Sequence, residues 1–265
     1  GDIIAMVSSP TFDPNQFVHG ISLANWNKLI EDKKKPMVNK SLSGLYPPGS
    51  TIKPIVALSA LENDIVSPNF RVDCTGKIDF YDRRYHCWKE KGHRLMGLRD
   101  AIKQSCDIYF YEISRRLGID RMSETVKKFG LGRKVFDIFN EEKSGVVPNT
   151  KWKLDNIGQN WYLGETLISG IGQGYFQATP MQLCLMTAQL ANGGYKIKPR
   201  IIDDRYAVQP IINAWRKEFH IQNNNLNLPN PELEKLFTNK ENIKFVLDAL
   251  YGATNEPRGT SYGSR

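Results

Sequence analysis

Ser50 stands three residues before Lys53 in the run Gly49-Ser50-Thr51-Ile52-Lys53. Positions i and i+3 share one face of a helix, so a helix starting here lets the Lys53 amine reach the Ser50 hydroxyl. A serine at a helix N-terminus also sits where the macrodipole favours developing negative charge. A desolvated lysine in that place is able to accept the serine proton and free a nucleophile. A capping serine beside a solvated lysine would fit the same four residues. A second serine lies in Ser105-Cys106-Asp107, at the start of another helical pattern. Asp107 reads as the cap of that helix, and Ser105 as a hydroxyl able to face a cleft and relay a proton. Gly170-Ile171-Gly172-Gln173-Gly174 superficially resembles a phosphate-binding loop. Such a loop needs a strand before it and a helix directly after it. Here the next helix starts only at Pro180 and no lysine follows, so phosphate binding is set aside.

Cys74, Cys87, His93 and Cys106 carry a different chemistry, in the spacing Cys-x12-Cys-x5-His-x12-Cys. Zinc takes four thiolate or imidazole ligands at the corners of a tetrahedron, and this set supplies them. His86 is the competing imidazole, and Asp73 or Asp82 could replace a cysteine. Buried free thiols and a Cys74–Cys87 disulfide are the alternatives. Residues 63–99, which hold most of the set, lack apolar periodicity, and a metal would explain how they are held. Cys184 falls within an apolar helical pattern and is expected in the core.

Several elements must position these groups. Residues 3–8 read as a buried strand closed by Ser9-Pro10. Residues 26–30 read as a short helix before the basic loop Lys33-Lys34-Lys35. Tyr46-Pro47-Pro48-Gly49 must be a turn. After it, Ile52, Ile55, Val56, Leu58 and Leu61 recur at helical spacing, so a buried helix starts near Ser50. Pro54 falls in its first turn, where it is tolerated. Residues 63–99 read as irregular. Helices are expected over 108–117 with a stop at Gly118, and from an Asp120 cap to Phe129 with a stop at Gly130. Thr179-Pro180 starts a helix running to about Leu190, residues 195–202 read as a strand, and residues 240–251 as a last helix. Helices dominate the middle and strand signals lie towards the two ends, which is an α+β pattern.

The 265 residues, 40% hydrophobic and 24% charged, suffice for a sizeable core and exclude a disordered chain. No run of 18 apolar residues exists to span a membrane. A net charge of +8 is not organised into a basic stripe interleaved with aromatics, so nucleic acid is excluded as a partner. His19 and His220 read as surface residues. The chain opens Gly1-Asp2-Ile3 without Met or an apolar leader, and reads as an excerpt of a longer protein.

Taken together these segments resemble the penicillin-binding transpeptidases. Tyr46-Pro47-Pro48-Gly49-Ser50-Thr51-Ile52-Lys53-Pro54 is similar to their active-site signature. Ser105-Cys106-Asp107, followed by Ile108-Tyr109-Phe110-Tyr111, is similar to their second motif. The segment 170–174 with Ala178-Thr179-Pro180-Met181-Gln182 resembles a third family segment, and Asp2-Ile3-Ile4-Ala5-Met6-Val7-Ser8 with Asp13-Pro14-Asn15 resembles the opening strand. Tyr-Pro-Pro-Gly-Ser and Asp107 point to the class B, elongation-type penicillin-binding protein 2 group. The resemblance implies an antiparallel sheet flanked by helices, with Ile3 to Val7 in the sheet, and a helical subdomain carrying Ser105. It implies that Ser50 attacks the D-Ala-D-Ala carbonyl of a peptidoglycan stem peptide, with Lys53 as general base, Ser105 as proton relay and the Ser50 N–H as an oxyanion donor. An amine of a neighbouring stem peptide then resolves the acyl-enzyme, and β-lactams mimic the donor. No cofactor is implied for catalysis. Some relatives carry a zinc near the second motif, which here would involve Cys74, Cys87, His93 and Cys106. A membrane glycosyltransferase partner and a place on the periplasmic face of the inner membrane follow from the same resemblance.

One family element is missing. The Lys-(Ser/Thr)-Gly motif of the catalytic edge strand has a single match, Lys143-Ser144-Gly145, with flanks unsuited to a strand. In relatives the motif follows a segment like Gly259-Thr260-Ser261-Tyr262. Residues 1–265 therefore read as a transpeptidase domain incomplete at its C-terminus, without its membrane anchor and pedestal domain. A class D serine β-lactamase would suit the length, but its second motif favours an apolar residue where Asp107 stands. A non-catalytic β-lactam sensor or scaffold is the remaining alternative.

Overall fold

The computed structural model describes residues 1–136, 138–201 and 234–264. Helix α3 (Lys53–Glu62) is its axis. Lys53 to Leu61 are all buried, as a helix apolar on every face requires. Around it pack α5 (Asp107–Leu117), α6 (Ile119–Lys128) and α10 (Lys240–Asn255), with α4 (Leu98–Lys103) bridging α3 and α10. Their inward faces form one core that includes Ile55, Leu58, Phe110, Ile113, Met122 and Val246. Helix α8 (Leu163–Ser169) lies on α5, and α9 (Pro180–Ala191) contacts both α10 and the short α2 (Lys40–Ser43). Helices α1 (Leu23–Glu31) and α7 (Thr150–Ile157) complete the set among the described residues. No described helix is long and apolar enough to cross a membrane.

The α+β class holds, and six helical expectations are met: α1, α3, α5, α6, α9 and α10 lie where the sequence placed them. Thr179 caps α9 through a reciprocal pair with Gln182, and Pro180 stands in its first turn. Several local expectations need correction. Residues 3–8 form no strand: Ile4 is 98% exposed, and pairing is limited to an isolated bridge between Asp2 and Arg200. A strand needs a partner ladder as well as apolar residues, and no described strand lies beside this one. Residues 195–201 likewise show only isolated bridges, and the rest of that expected strand, like His220, lies outside the described residues. Residues 63–99 are not irregular. They hold β1 (Arg71–Cys74) paired with β4 (Arg94–Gly97), and β2 (Lys77–Phe80) paired with β3 (Arg83–His86), both antiparallel. Four-residue strands carrying so many charges have no apolar face to betray them.

Candidate active site and metal centre

The turn before Ser50 is fixed at both ends. Tyr46 exchanges two backbone hydrogen bonds with Ala178, at 3.0 and 2.9 Å. The Gly49 N–H donates to the Gly172 carbonyl at 2.9 Å. Gly172 has φ +73°, and a Cβ there would stand 2.2 Å from the Gly49 oxygen. The glycine-rich segment thus serves close backbone approach and seats the Ser50 turn. Gly49–Ile52 forms a 3-10 turn that leads into α3, so Ser50 is exposed at the entry of a buried helix.

Lys53, 2% exposed, is the first residue of α3. Its Nζ donates to the Ser105 carbonyl and to Ser105 Oγ, each at 2.9 Å, and to Asp107 Oδ1 at 2.7 Å. It also stands 5.4 Å from the centre of the Phe110 ring. Three donors on three acceptors is the arrangement an ammonium group fills. The Lys53–Asp107 pair joins residues far apart in the chain, which the spacing could not reveal. Asp107 accordingly does not cap α5. The cap is Cys106, without a side-chain bond, and Asp107 spends its second oxygen on the backbone N–H of Trp88 at 2.8 Å. Asp120 does not cap α6 either: Gly118 does, and Asp120 accepts from the Thr150 N–H and hydroxyl instead. Ser105 itself takes a left-handed φ of +53°.

Ser50, Ser105 and Asp107 all line one cleft of about 790 Å³. Its other walls include Trp88, Tyr111, Gln173 and Thr260, together with Arg83 to His86 of β3. Sequence reasoning assigned the cleft no role for Trp88 or β3, and the sole signal was that Trp88 directly follows Cys87. His86, the competing imidazole, points to this cleft rather than to the cysteines. Lys143-Ser144-Gly145 is remote in role: the Ser144 carbonyl accepts from Gln182, and Lys143 lines a different hollow beside Met6 and Phe12.

Cys74, Cys87, His93 and Cys106 converge, with their ligand atoms all within 4.8 Å of one another. Cys74 ends β1, Cys87 follows β3, His93 precedes β4, and Cys106 caps α5. Gly92, at φ +72°, lets the His93 loop pass the Cys74 carbonyl, which a Cβ would meet at 2.0 Å. His93 Nδ1 lies 3.6 Å from Cys74 Sγ and 3.5 Å from Cys87 Sγ. Bonds of about 2.3 Å to sulfur and about 2.0–2.1 Å to nitrogen, meeting at a tetrahedral angle, separate sulfur from nitrogen by about 3.6 Å. The donor set therefore fits zinc. No disulfide joins the cysteines. A hydrogen bond from Cys106 pulls the Cys87 thiol down to about 5. That shared proton pushes the Cys106 thiol up, and burial pushes Cys74 up. Three sulfurs this close favour one thiolate on their own, whereas a cation would stabilise all three. Asp73 and Asp82 are exposed. Cys184 is not in the core: it faces solvent on α9, one position off the buried stripe of Met181 and Leu185.

Residues 1–265 match the family described as penicillin binding protein transpeptidase domain. The peptidoglycan D,D-transpeptidase MrdA of Salmonella typhimurium is 35% identical over 99% of this chain. The chain spans about 40% of that relative's length. Among solved structures, Pseudomonas aeruginosa PBP2 in complex with WCK 5153 is similar at TM-score 0.80 and 37% identity, covering 97% of this chain and 55% of that one. The Helicobacter pylori complex between PBP2 and MreC is similar at TM-score 0.81 and 32% identity, covering 97% of this chain and 44% of that one.

Proposed function

The chain belongs to the penicillin-binding protein transpeptidase family, and from that premise we propose that it performs the acyl-transfer chemistry of a peptidoglycan D,D-transpeptidase. One observation carries the reading: Lys53 Nζ is held by Ser105 Oγ and Asp107 at the wall of the cleft that Ser50 opens onto. Ser50 Oγ attacks the carbonyl of the penultimate D-Ala. In the reactive form Lys53 carries a lone pair in place of one N–H, and it accepts the Ser50 proton. Ser105 bridges that nitrogen to the leaving amine and passes it a proton as the D-Ala-D-Ala bond breaks. The Ser50 N–H donates to the developing oxyanion. An amine of a second stem peptide attacks the acyl-serine, which forms the cross-link and returns Ser50.

The test is peptide transfer. A donor pentapeptide ending in D-Ala-D-Ala, with an acceptor stem peptide, should yield a dimer and one D-Ala per cross-link. Ser105→Ala should slow release of D-Ala by about a hundredfold. Release at the wild-type rate in that variant removes Ser105 from the mechanism.

A structural zinc on Cys74, Cys87, His93 and Cys106 belongs to the same reading. The ion would supply folding free energy and no step of the reaction. What supports it is the 3.5–3.6 Å sulfur–nitrogen spacing. The family also suggests the setting: the periplasmic face of the inner membrane, beside a membrane glycosyltransferase, with β-lactams as inhibitors. Anchoring in that setting is tested by fractionating cells that express the whole protein.

A further inference from the structure

Trp88 is 60% exposed on the cleft wall, yet each of its nitrogens is committed. Its backbone N–H donates to Asp107 Oδ2 at 2.8 Å. Its indole Nε1–H donates to the Gln104 carbonyl at 3.1 Å and the Ser105 carbonyl at 3.0 Å. The Ser105 carbonyl also receives Lys53 Nζ, so tryptophan and lysine together fill both of its acceptor sites. Its ring meets the His93 imidazole edge-on, with centroids 5.3 Å apart.

Ser105 needs such support. A serine at φ +53° holds that conformation only when its surroundings over-determine it. The local backbone contributes the Ser105 N–H to the Ile102 carbonyl at 3.2 Å and the Cys106 N–H to the Ala101 carbonyl at 3.0 Å. Nothing in that short turn dictates where Ser105 Oγ points. The indole ties the turn's last two carbonyls, Gln104 and Ser105, to the segment after β3.

We infer that Trp88 is a positioning residue: its indole N–H fixes the Ser105 turn, and its backbone N–H fixes Asp107, so that Ser105 Oγ and the carboxylate stay aligned on Lys53. Trp88 acts through those groups and transfers no proton. The inference rests on the transpeptidase reading for its kinetic consequence and on geometry alone for its structural one.

Two variants separate the indole N–H from the ring. Trp88→Phe keeps an aromatic ring against His93 and loses the donor, while Trp88→Leu loses both. The side chain is largely exposed, so the core is untouched by either. With both proteins at wild-type zinc content, the first readout is hydrogen exchange at the Ser105 and Cys106 amides. It should quicken about tenfold or more in both variants, with the α3 amides unchanged. The second readout is acylation by a penicillin over a range of concentrations. The limiting rate constant should fall about tenfold in both variants, with the dissociation constant of the non-covalent complex unchanged. Wild-type exchange in Trp88→Phe overturns the inference. So does a wild-type limiting rate, or a loss confined to initial binding, which would make Trp88 a contact residue. If Ser50→Ala still forms the adduct, the nucleophile assignment falls, and the exchange arm alone decides the role of Trp88.

Discussion

Lys53 and Asp107 form a charge pair with side chains 2% and 12% exposed. A buried ammonium stripped of its counter-ion costs more than the pair is worth, because no water replaces the lost partner. Asp107→Ala should therefore lower the unfolding free energy by about 3 kcal/mol, read from the urea midpoint. A midpoint within error of wild type would mean that the two Ser105 acceptors suffice. The Ser50–Lys53 spacing was visible in the sequence because it lies within one helical turn. The Asp107 partnership was not visible. At a helix start local logic favours a capping aspartate, and only the packing of α5 on α3 brings the carboxylate to the lysine. Trp88 escaped notice for the same reason: its acceptors lie on another element.

At the scale of elements, two short antiparallel strand pairs, β1 with β4 and β2 with β3, are held where their own apolar content could not hold them. Strands β1 to β4 are four residues each, and most of their residues are exposed or half-buried. If zinc cross-links them to the start of α5, chelation should speed amide exchange across residues 71–97 while α3 stays protected. Cys87→Ala should lose the metal and show the same pattern. Uniform protection after complete metal removal would assign the stability of the two strand pairs to packing instead. The other element at stake is the turn that carries Ser50. Gly172→Ala forces a side chain into a left-handed conformation and against the Gly49 carbonyl. It should cost about 1–3 kcal/mol and slow acylation at Ser50. An unaltered melting temperature and acylation rate would show that the turn is seated by Tyr46 and Ala178 alone. Element types along the helical middle were legible from apolar periodicity. The absence of strands at 3–8 and 195–201 was not, because an apolar run carries no information about whether a neighbouring strand exists to pair with it.

Over the whole molecule, the last helix is clasped to the first half of the chain by charge. Arg99 and Lys103 of α4 both engage Glu256 just beyond α10, and Arg99 also binds Asp248. The Arg99 hydrogen bond, with that of Lys103, holds the Glu256 carboxyl down at about 2. A carboxylate depressed in the folded state contributes stability above its unfolded value, near 4.5, and loses it as the pH falls towards 2. Glu256→Gln should accordingly lower the melting temperature at pH 6, with the difference shrinking between pH 4.5 and pH 3. A difference independent of pH would assign the effect to packing. This clasp matters for function because Thr260, beyond Glu256, lines the cleft, and its N–H donates to the Lys103 carbonyl at 3.2 Å. The fold class and the family were both legible in the sequence, since the motifs at 46–54, 105–107 and 170–182 are rarely found together by chance. The clasp was not, because it joins charges about 150 residues apart.

The most direct test of the account is the intact mass of this chain after incubation with a penicillin, set beside that of Ser50→Ala. The account predicts one covalent adduct on the chain, of the mass of the opened β-lactam, and none on the variant. An adduct of equal yield on Ser50→Ala would contradict it.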